Sequence, residues 1–451
     1  MSSADVVIIG CGIIGISTAY YLAKNHNITS LLLIDKQQPM SFTSAQSGEN
    51  YRNWWPHPAM VAFTNRSIDL LETIAKQSDN RINMTRRGYA LATRESVIDS
   101  LVTELEVGLD GQADDLLRFH CSSKAASYQA IDVDWRDVNN GVDVLQNPGL
   151  IKHFFPSFAA EINNVIHVRR GGDISSQQLG MLMMDYLKSR GVRLMIASVE
   201  GIAAHNGFIT YVNEAGTQKQ IKSTQMINAA GPFAHSVADM LGAPLPVFNT
   251  FQQKIAFEDR HQTVPRNLPF SIDLDQQKID WSEDDRLQLI DTEYDWATKP
   301  MPGAIHCRPD GGVAGRFIKL GWAYNHRKET SSWELPLDDH FPEIVLRGAA
   351  QLQPALKRYY DELPANISHY GGWYTMTDEN WPLIGPIGPE GCFMNCAYSG
   401  FGTMASCAGG ELCAAWVAGA DLPEYSHFFS IDRYQNSRLM EVLKDSNKGV
   451  L

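Results

Sequence analysis

Asp5-Val6-Val7-Ile8-Ile9-Gly10-Cys11-Gly12-Ile13-Ile14-Gly15 begins four residues into the chain. An apolar run rich in β-branched residues and closed by glycine reads as a buried parallel strand. Residues 13–24 read as a helix with small residues facing inward, and Leu31-Leu32-Leu33-Ile34 as a second buried strand that ends at Asp35. A strand–helix–strand unit of this length is expected to cross over right-handed. Gly10, Gly12 and Gly15 make a G-x-G-x-x-G between the predicted strand and helix, and Asp35 follows 20 positions after Gly15. That is the context a dinucleotide-binding turn requires.

Each part has a physical reason. Gly10 permits the tight turn out of the strand, Gly12 lets a pyrophosphate approach the backbone, and Gly15 lets the helix pack against the strand. The helix start at Ile13 and Ile14 offers free N–H groups and a partial positive charge to the phosphates. Asp35 can accept hydrogen bonds from a ribose diol and disfavours a 2′-phosphate; Lys36 stands beside it. FAD and NAD are both compatible with this segment.

Working outward, 451 residues imply two or three domains. The 44% hydrophobic and 20% charged content is ordinary globular composition with ample material for a core. A net charge of −13 without a Lys/Arg run disfavours nucleic acid as a partner. The seven cysteines are Cys11, Cys121, Cys307, Cys392, Cys396, Cys407 and Cys413. Their odd count argues against a disulfide framework, and their spacing without histidines favours buried thiols over a zinc site, so no metal is expected. A strand starting at Asp5 leaves no room for a signal peptide, and no apolar stretch suits a membrane span. A soluble, cytoplasmic protein is expected.

Further along, 37–53 is polar and irregular, 58–75 reads as a helix, and 87–93 as a strand broken at Gly88. Gly171-Gly172-Asp173 reads as the opening of a helix that runs to 190. Strands follow at 192–199, 207–212 and 225–231, then a helix at 232–241. The clearest later strands are 253–257, 304–308, 317–322 and 391–397, with helices at 340–353 and from 402 through 417. The fold class expected is α/β plus α+β, with a Rossmann-like dinucleotide domain (1–85, 160–243 and 366–451) interleaved with a mostly antiparallel β substrate domain (86–159 and 244–365).

Three blocks in this order resemble the D-amino acid oxidase superfamily, which holds glycine oxidase, monomeric sarcosine oxidase and dimethylglycine-type dehydrogenases. The first is 5–35 with Ser44-Ala45-Gln46-Ser47-Gly48, where the family wraps the pyrophosphate and flavin edge. The second is Gln225-Met226-Ile227-Asn228-Ala229-Ala230-Gly231-Pro232-Phe233, with Val199 upstream at the position whose backbone meets the adenine. The third is Trp381-Pro382-Leu383-Ile384-Gly385-Pro386 with Tyr398-Ser399-Gly400-Phe401-Gly402-Thr403-Met404, which in the family sets a helix N-terminus under the flavin pyrimidine. A helix dipole there favours an anionic reduced flavin. The resemblance implies FAD, and it implies oxidation of the C–N bond of an amino acid or N-substituted amine with hydride passing to flavin N5. The reduced cofactor would return its electrons to molecular oxygen, or in a dehydrogenase to a quinone or electron-transfer protein. A non-catalytic flavin-binding assembly factor is the alternative of another class, and monomer and homo-oligomer are both open.

Site residues follow from the same resemblance. Phe317-Ile318-Lys319-Leu320-Gly321-Trp322 resembles the sarcosine oxidase strand whose lysine activates oxygen, although the histidine four residues on is Ala323 here. Arg308, sharing a strand face with His306, resembles the carboxylate-binding arginine of glycine oxidase; a bidentate pair there is worth roughly 1.5–3 kcal/mol. Arg52 lies where sarcosine oxidase carries arginines near flavin and substrate, and Met404 replaces that enzyme's second carboxylate-binding lysine, so the clamp differs. Gly372 replaces its flavin-linking cysteine before Trp373-Tyr374-Thr375, which implies FAD held without a covalent bond. Trp54, Trp55, Trp322, Trp373 and Tyr374 are candidates to line an aromatic pocket.

Overall fold

The computed structural model describes residues 2–122, 128–131, 134–136, 139–312, 314–360 and 362–445. The opening segment folds as its pattern dictates. Val6–Ile9 is a buried strand, Ile13–Asn25 a helix and Leu31–Asp35 a strand pairing parallel with the first. They belong to a six-stranded sheet in the order 193–196, 31–35, 6–9, 225–228, 392–396 and 383–386, parallel except for the last strand. The long helix Gly402–Ala418 packs against Ile13–Asn25, and both bury small residues at the contact: a Cβ on Gly410 would meet Ser17 at 2.7 Å.

A second, nine-stranded sheet carries the strands 368–376, 248–258, 317–321, 305–310, 270–273, 89–93, 164–168, 142–145 and 117–120 in that order. Its pairings are antiparallel apart from those of 270–273 with 89–93 and of 117–120 with 142–145. The helix Phe341–Leu352 covers one face and shares with it a core that includes Phe257, Trp322 and Tyr359. The two sheets thus alternate along the chain, as the pattern of elements predicts.

Several local readings are corrected. Gly171–Asp173 does not open a helix. It is a short strand paired with Asn50–Arg52, and the helix starts at Ser176 with the Ser175 hydroxyl accepting from the Gln178 N–H. Gly172 is needed in that strand because a Cβ would lie 2.2 Å from Thr85 O. The predicted strand at 192–199 is two strands in different sheets, Arg193–Ile196 and Ser198–Ala204. Thr217–Ser223 is a strand that the pattern conceals, since its residues are mostly exposed and polar and show no apolar alternation. The sheets also cut the sequence differently from the expected division. Asn164–Val168 and Ser368–Met376 were counted with the dinucleotide pieces, yet both belong to the nine-stranded sheet. No helix among the described residues is long and apolar enough to cross a membrane.

Candidate active site

The C-terminal ends of Val6–Ile9, Leu31–Asp35 and Gln225–Asn228 open into one cleft, partly open to solvent. Ligands of parallel sheets bind at that end. The glycine turn forms its floor. Gly10 has φ +109° and a Cβ there would lie 2.2 Å from Ala229 O; a Cβ on Gly15 would lie 2.0 Å from Gly10 O. Gly10 therefore answers both to the turn and to the neighbouring strand end. The Asp35 carboxylate accepts from Cys11 N at 2.6 Å and Gln37 N at 3.0 Å, which locks the turn to the second strand. Burial holds that carboxyl above its ordinary value, against those backbone donors. Ser44 Oγ accepts from Ile13 N at 2.9 Å and brings the Thr43–Gln46 turn over the helix start.

Two helix N-termini open onto this cleft. Neither Ile13–Asn25 nor Gly402–Ala418 has a side-chain cap or an acid in its first turn. Ser44 already accepts from Ile13 N–H, and the other first-turn N–H groups suit the phosphates and the carbonyls of a flavin dinucleotide. Ser47 and Thr403 join the two sides through a 2.8 Å hydroxyl contact. Gly48, Gly372 and Gly400 leave the wall bare beside Tyr374, whose ring a Cβ on Gly400 would meet at 2.7 Å. Beside them lies Lys254, 5% exposed, its ammonium donating to the Tyr374 hydroxyl at 3.1 Å. It makes no ion pair among the described residues. Sequence reading missed Lys254. Its signal was weak, because Phe248–Glu258 mixes Asn249, Thr250, Gln252 and Gln253 with its apolar residues, and a lysine among them does not stand out.

Among the expected cofactor positions, Gly10, Gly12, Ile13, Ile14, Asp35, Ser44, Ser47, Gly48, Ala229, Ala230, Gly231, Gly400, Gly402 and Thr403 line the cleft. Gly15 lies beneath it. Phe401 is buried against Trp55 and Tyr398, and the Met404 sulfur accepts from Arg52 N at 3.4 Å. Val199 is paired with Val212 in the outer four-stranded sheet, and Lys36 is exposed with its ammonium 4.9 Å from the Trp333 ring; neither lines the cleft. Of the expected aromatics, Trp373 and Tyr374 line it, whereas the Trp322 indole is core and donates to Pro302 O and Gly303 O.

The expected catalytic residues divide. Tyr374 lies in the cleft. Lys319, Arg308, His306 and Arg52 do not line it. The Lys319 ammonium pairs with Glu49 at 2.8 Å and Asp310 at 3.3 Å. Arg308 pairs with Asp310 at 2.8 Å and donates through Nε and Nη2 to Gly48 O at 3.2 and 3.0 Å, bracing the turn that carries Gly48 and Glu49. His306 packs on Phe270 and stays neutral: burial, then the Lys254 charge, pushes its pKa down to about 3. Arg52 is fully buried, and Nε, Nη1 and Nη2 all lack a hydrogen-bond partner. Its guanidinium lies 5.1 Å from the Trp55 ring, 5.4 Å from Tyr89 and 6.0 Å from Trp54. Burial lowers its pKa.

Known proteins share this architecture. L-proline dehydrogenase from P. horikoshii superposes with a TM-score of 0.71 at 18% identity, over 96% of this chain and 98% of that one. Glycine oxidase from Geobacillus kaustophilus gives 0.68 at 15% identity, over 96% and 99%. At the sequence level, the beta subunit of sarcosine oxidase from Arthrobacter sp. is 33% identical over 86 residues, which are 19% of this chain and 21% of that protein. The chain thus matches about a fifth of the length of that relative. Residues 5–416 match the family model described as DAO, FAD dependent oxidoreductase. With the glycine turn, the paired helix N-termini and the interleaved sheets all in place, the chain belongs to the DAO family of FAD dependent oxidoreductases.

Proposed function

We propose that the cleft holds FAD without a covalent bond and that the enzyme oxidises the C–N bond of an amino acid or N-substituted amine, with oxygen as the electron acceptor. The observation that carries this reading is the pairing of a cleft built on the glycine turn with two buried cations that have no acid partner among the described residues, Lys254 on its wall and Arg52 in the aromatic cage. When bound, FAD supplies the hydride acceptor.

The protein supplies position and charge. Arg52 offers three unsatisfied donors, and a buried guanidinium left unpaired costs several kcal/mol, so an anion belongs beside it. The carboxylate of an amino acid satisfies that demand through a bidentate contact. Lys254 presents a fixed positive charge where negative charge develops, at a site largely closed to water. Tyr374 orients that ammonium. Lys319, whose charge is balanced by Glu49 and Asp310, with Arg308 holds the Gly48–Glu49 turn in place. We therefore assign the oxygen-facing role to Lys254 and the carboxylate to Arg52 in preference to Arg308.

Anaerobic mixing with a panel of amino acids and N-methyl amines tests the reading. At least one should bleach the flavin absorbance, and admission of air should restore it with formation of peroxide. A yellow protein that no member of the panel bleaches would overturn the catalytic reading, and bleaching without peroxide would overturn oxygen as acceptor.

A further inference from the structure

The connection between Phe317–Gly321 and the helix Phe341–Leu352 contains no helix or strand of its own, yet it is tied down along its length. Gln252 donates to Asn325 O at 2.6 Å, Asn325 donates to Phe251 O at 3.0 Å, and Glu329 N donates to Asn249 O at 2.9 Å. The chain then leaves the nine-stranded sheet. The Ser331 hydroxyl donates to Pro232 O at 2.8 Å, within the turn that follows the strand Gln225–Asn228, and the Trp373 indole donates to Ser332 O at 2.9 Å.

These anchors deliver Trp333 to the ADP end of the cleft. Its ring is stacked on Phe233, with centroids 4.5 Å apart and planes at 15°, and lies 4.7 Å from Phe42. Phe42 and Phe233 are themselves 5.8 Å apart. Lys36, next to Asp35, holds its ammonium 4.9 Å from the indole. All three rings are only half-buried, so this cluster is no part of a core, and all three line the cleft together with Asp35, Gln38 and Ser41. Three segments far apart in sequence, two from the dinucleotide half and one from the connection that follows Phe317–Gly321, build one aromatic wall.

We propose that Trp333 is a cofactor-site residue contributed by the connection that leaves the nine-stranded sheet after Phe317–Gly321. Its indole seals the ADP half of the dinucleotide, and FAD enters and leaves when the Phe42–Trp333–Phe233 stack opens. This rests on the reading that the cleft holds FAD. The wall explains how a cofactor without a covalent bond is retained: release requires two ring contacts to break at once, and the Ser331 and Trp373 hydrogen bonds hold the indole over the site.

The test uses the full-length, FAD-loaded protein, with release followed by the recovery of free-flavin fluorescence after dilution. Losing two aromatic contacts in Trp333→Ala should speed release by about ten-fold or more, while Trp333→Phe, which keeps a stack, should stay within about three-fold. The wild type provides an independent readout that no substitution can confound. Backbone amides at 328–335 should exchange hydrogen more slowly with FAD bound than after the cofactor is stripped. Release from Trp333→Ala at the wild-type rate, or exchange at 328–335 indifferent to FAD, overturns the proposal while leaving the cleft as an FAD site. A protein that takes up no FAD overturns the reading of the cleft itself and the proposal with it.

Discussion

The Lys254 ammonium and the Tyr374 hydroxyl lie 3.1 Å apart on neighbouring strands of the nine-stranded sheet, and both line the cofactor cleft. No carboxylate among the described residues neutralises Lys254 there, whereas Lys319, also on this sheet, has two. Lys254→Met should slow reoxidation of the reduced enzyme by oxygen about 100-fold, the scale of losing one preorganised charge donor. Anaerobic reduction by substrate should change far less. Stopped-flow measurement of the two half-reactions checks this, with Lys319→Met as the comparison. Equal losses in both half-reactions, or a larger oxygen effect at Lys319, would sink the assignment.

Arg52 makes a different demand. Its three nitrogens are buried without partners, and three aromatic rings surround it. Arg52→Ala should raise KM for amino acid substrates by about 100-fold, and Arg52→Lys should recover little of that, because a point charge cannot reproduce the planar fork. An amine substrate without a carboxylate should lose little. Steady-state kinetics on such a substrate pair decides, since a structural defect would penalise both members alike.

Stability should fall on acidification. Burial pushes the pKa values of His306 and His167 down to about 3. The native state holds both rings neutral, while the unfolded chain protonates them near pH 6.5. Their contribution is therefore intact above about pH 6.5 and is lost as pH falls toward 3, at about 1.4 kcal/mol per pH unit for each ring. Burial also raises the Asp310 carboxyl, but Arg308 and Lys319 together hold it below its ordinary value, so its contribution is lost at still lower pH. Urea unfolding between pH 7 and 4 should show the slope, to which His57 and His369, also lowered by burial, add, and His306→Gln should reduce it by about 1.4 kcal/mol per pH unit. An unchanged slope in that variant would contradict the neutral, buried histidine.

At position 372 a Cβ would lie 3.3 Å from Gln46 Cβ, and glycine there offers no nucleophile for a flavin bond. Cys396 and Cys11 line the cleft, but burial pushes the Cys396 thiol up to about 12, and burial with the Asp35 charge raises Cys11 as well. Acid precipitation of the purified protein should therefore release all yellow colour into the supernatant. Flavin retained in the pellet would refute non-covalent binding.

The parts legible in sequence were those whose physics is local. Gly10, Gly12, Gly15 and Asp35 act within one strand–turn–helix–strand unit, so spacing alone marked them, and the Ala229–Gly231 and Gly400–Thr403 blocks marked the other walls of the cleft. Gly171–Asp173 misled because a glycine pair before an apolar run resembles a helix start, and only pairing with Asn50–Arg52 makes it a strand. The resemblance sets the Val199 backbone at the adenine; in the fold Val199 pairs with Val212, and Lys36 holds its ammonium 4.9 Å from the Trp333 ring.

By itself, then, the sequence determined a dinucleotide fold interleaved with an antiparallel sheet, because periodicity and glycine spacing express contacts between near neighbours. Which cation lies on the wall of the cleft without an ion pair among the described residues was decided by tertiary structure. Lys254 and Lys319 are both lysines on strands of the nine-stranded sheet, and cross-strand register sets Lys254 opposite Gly321 and Lys319 opposite Ala256. Glu49, 270 positions away in the chain, then neutralises Lys319 and leaves Lys254 charged on the wall of the cleft. Charge balance in a buried site depends on which distant carboxylate arrives beside each lysine, and only the packed chain settles that.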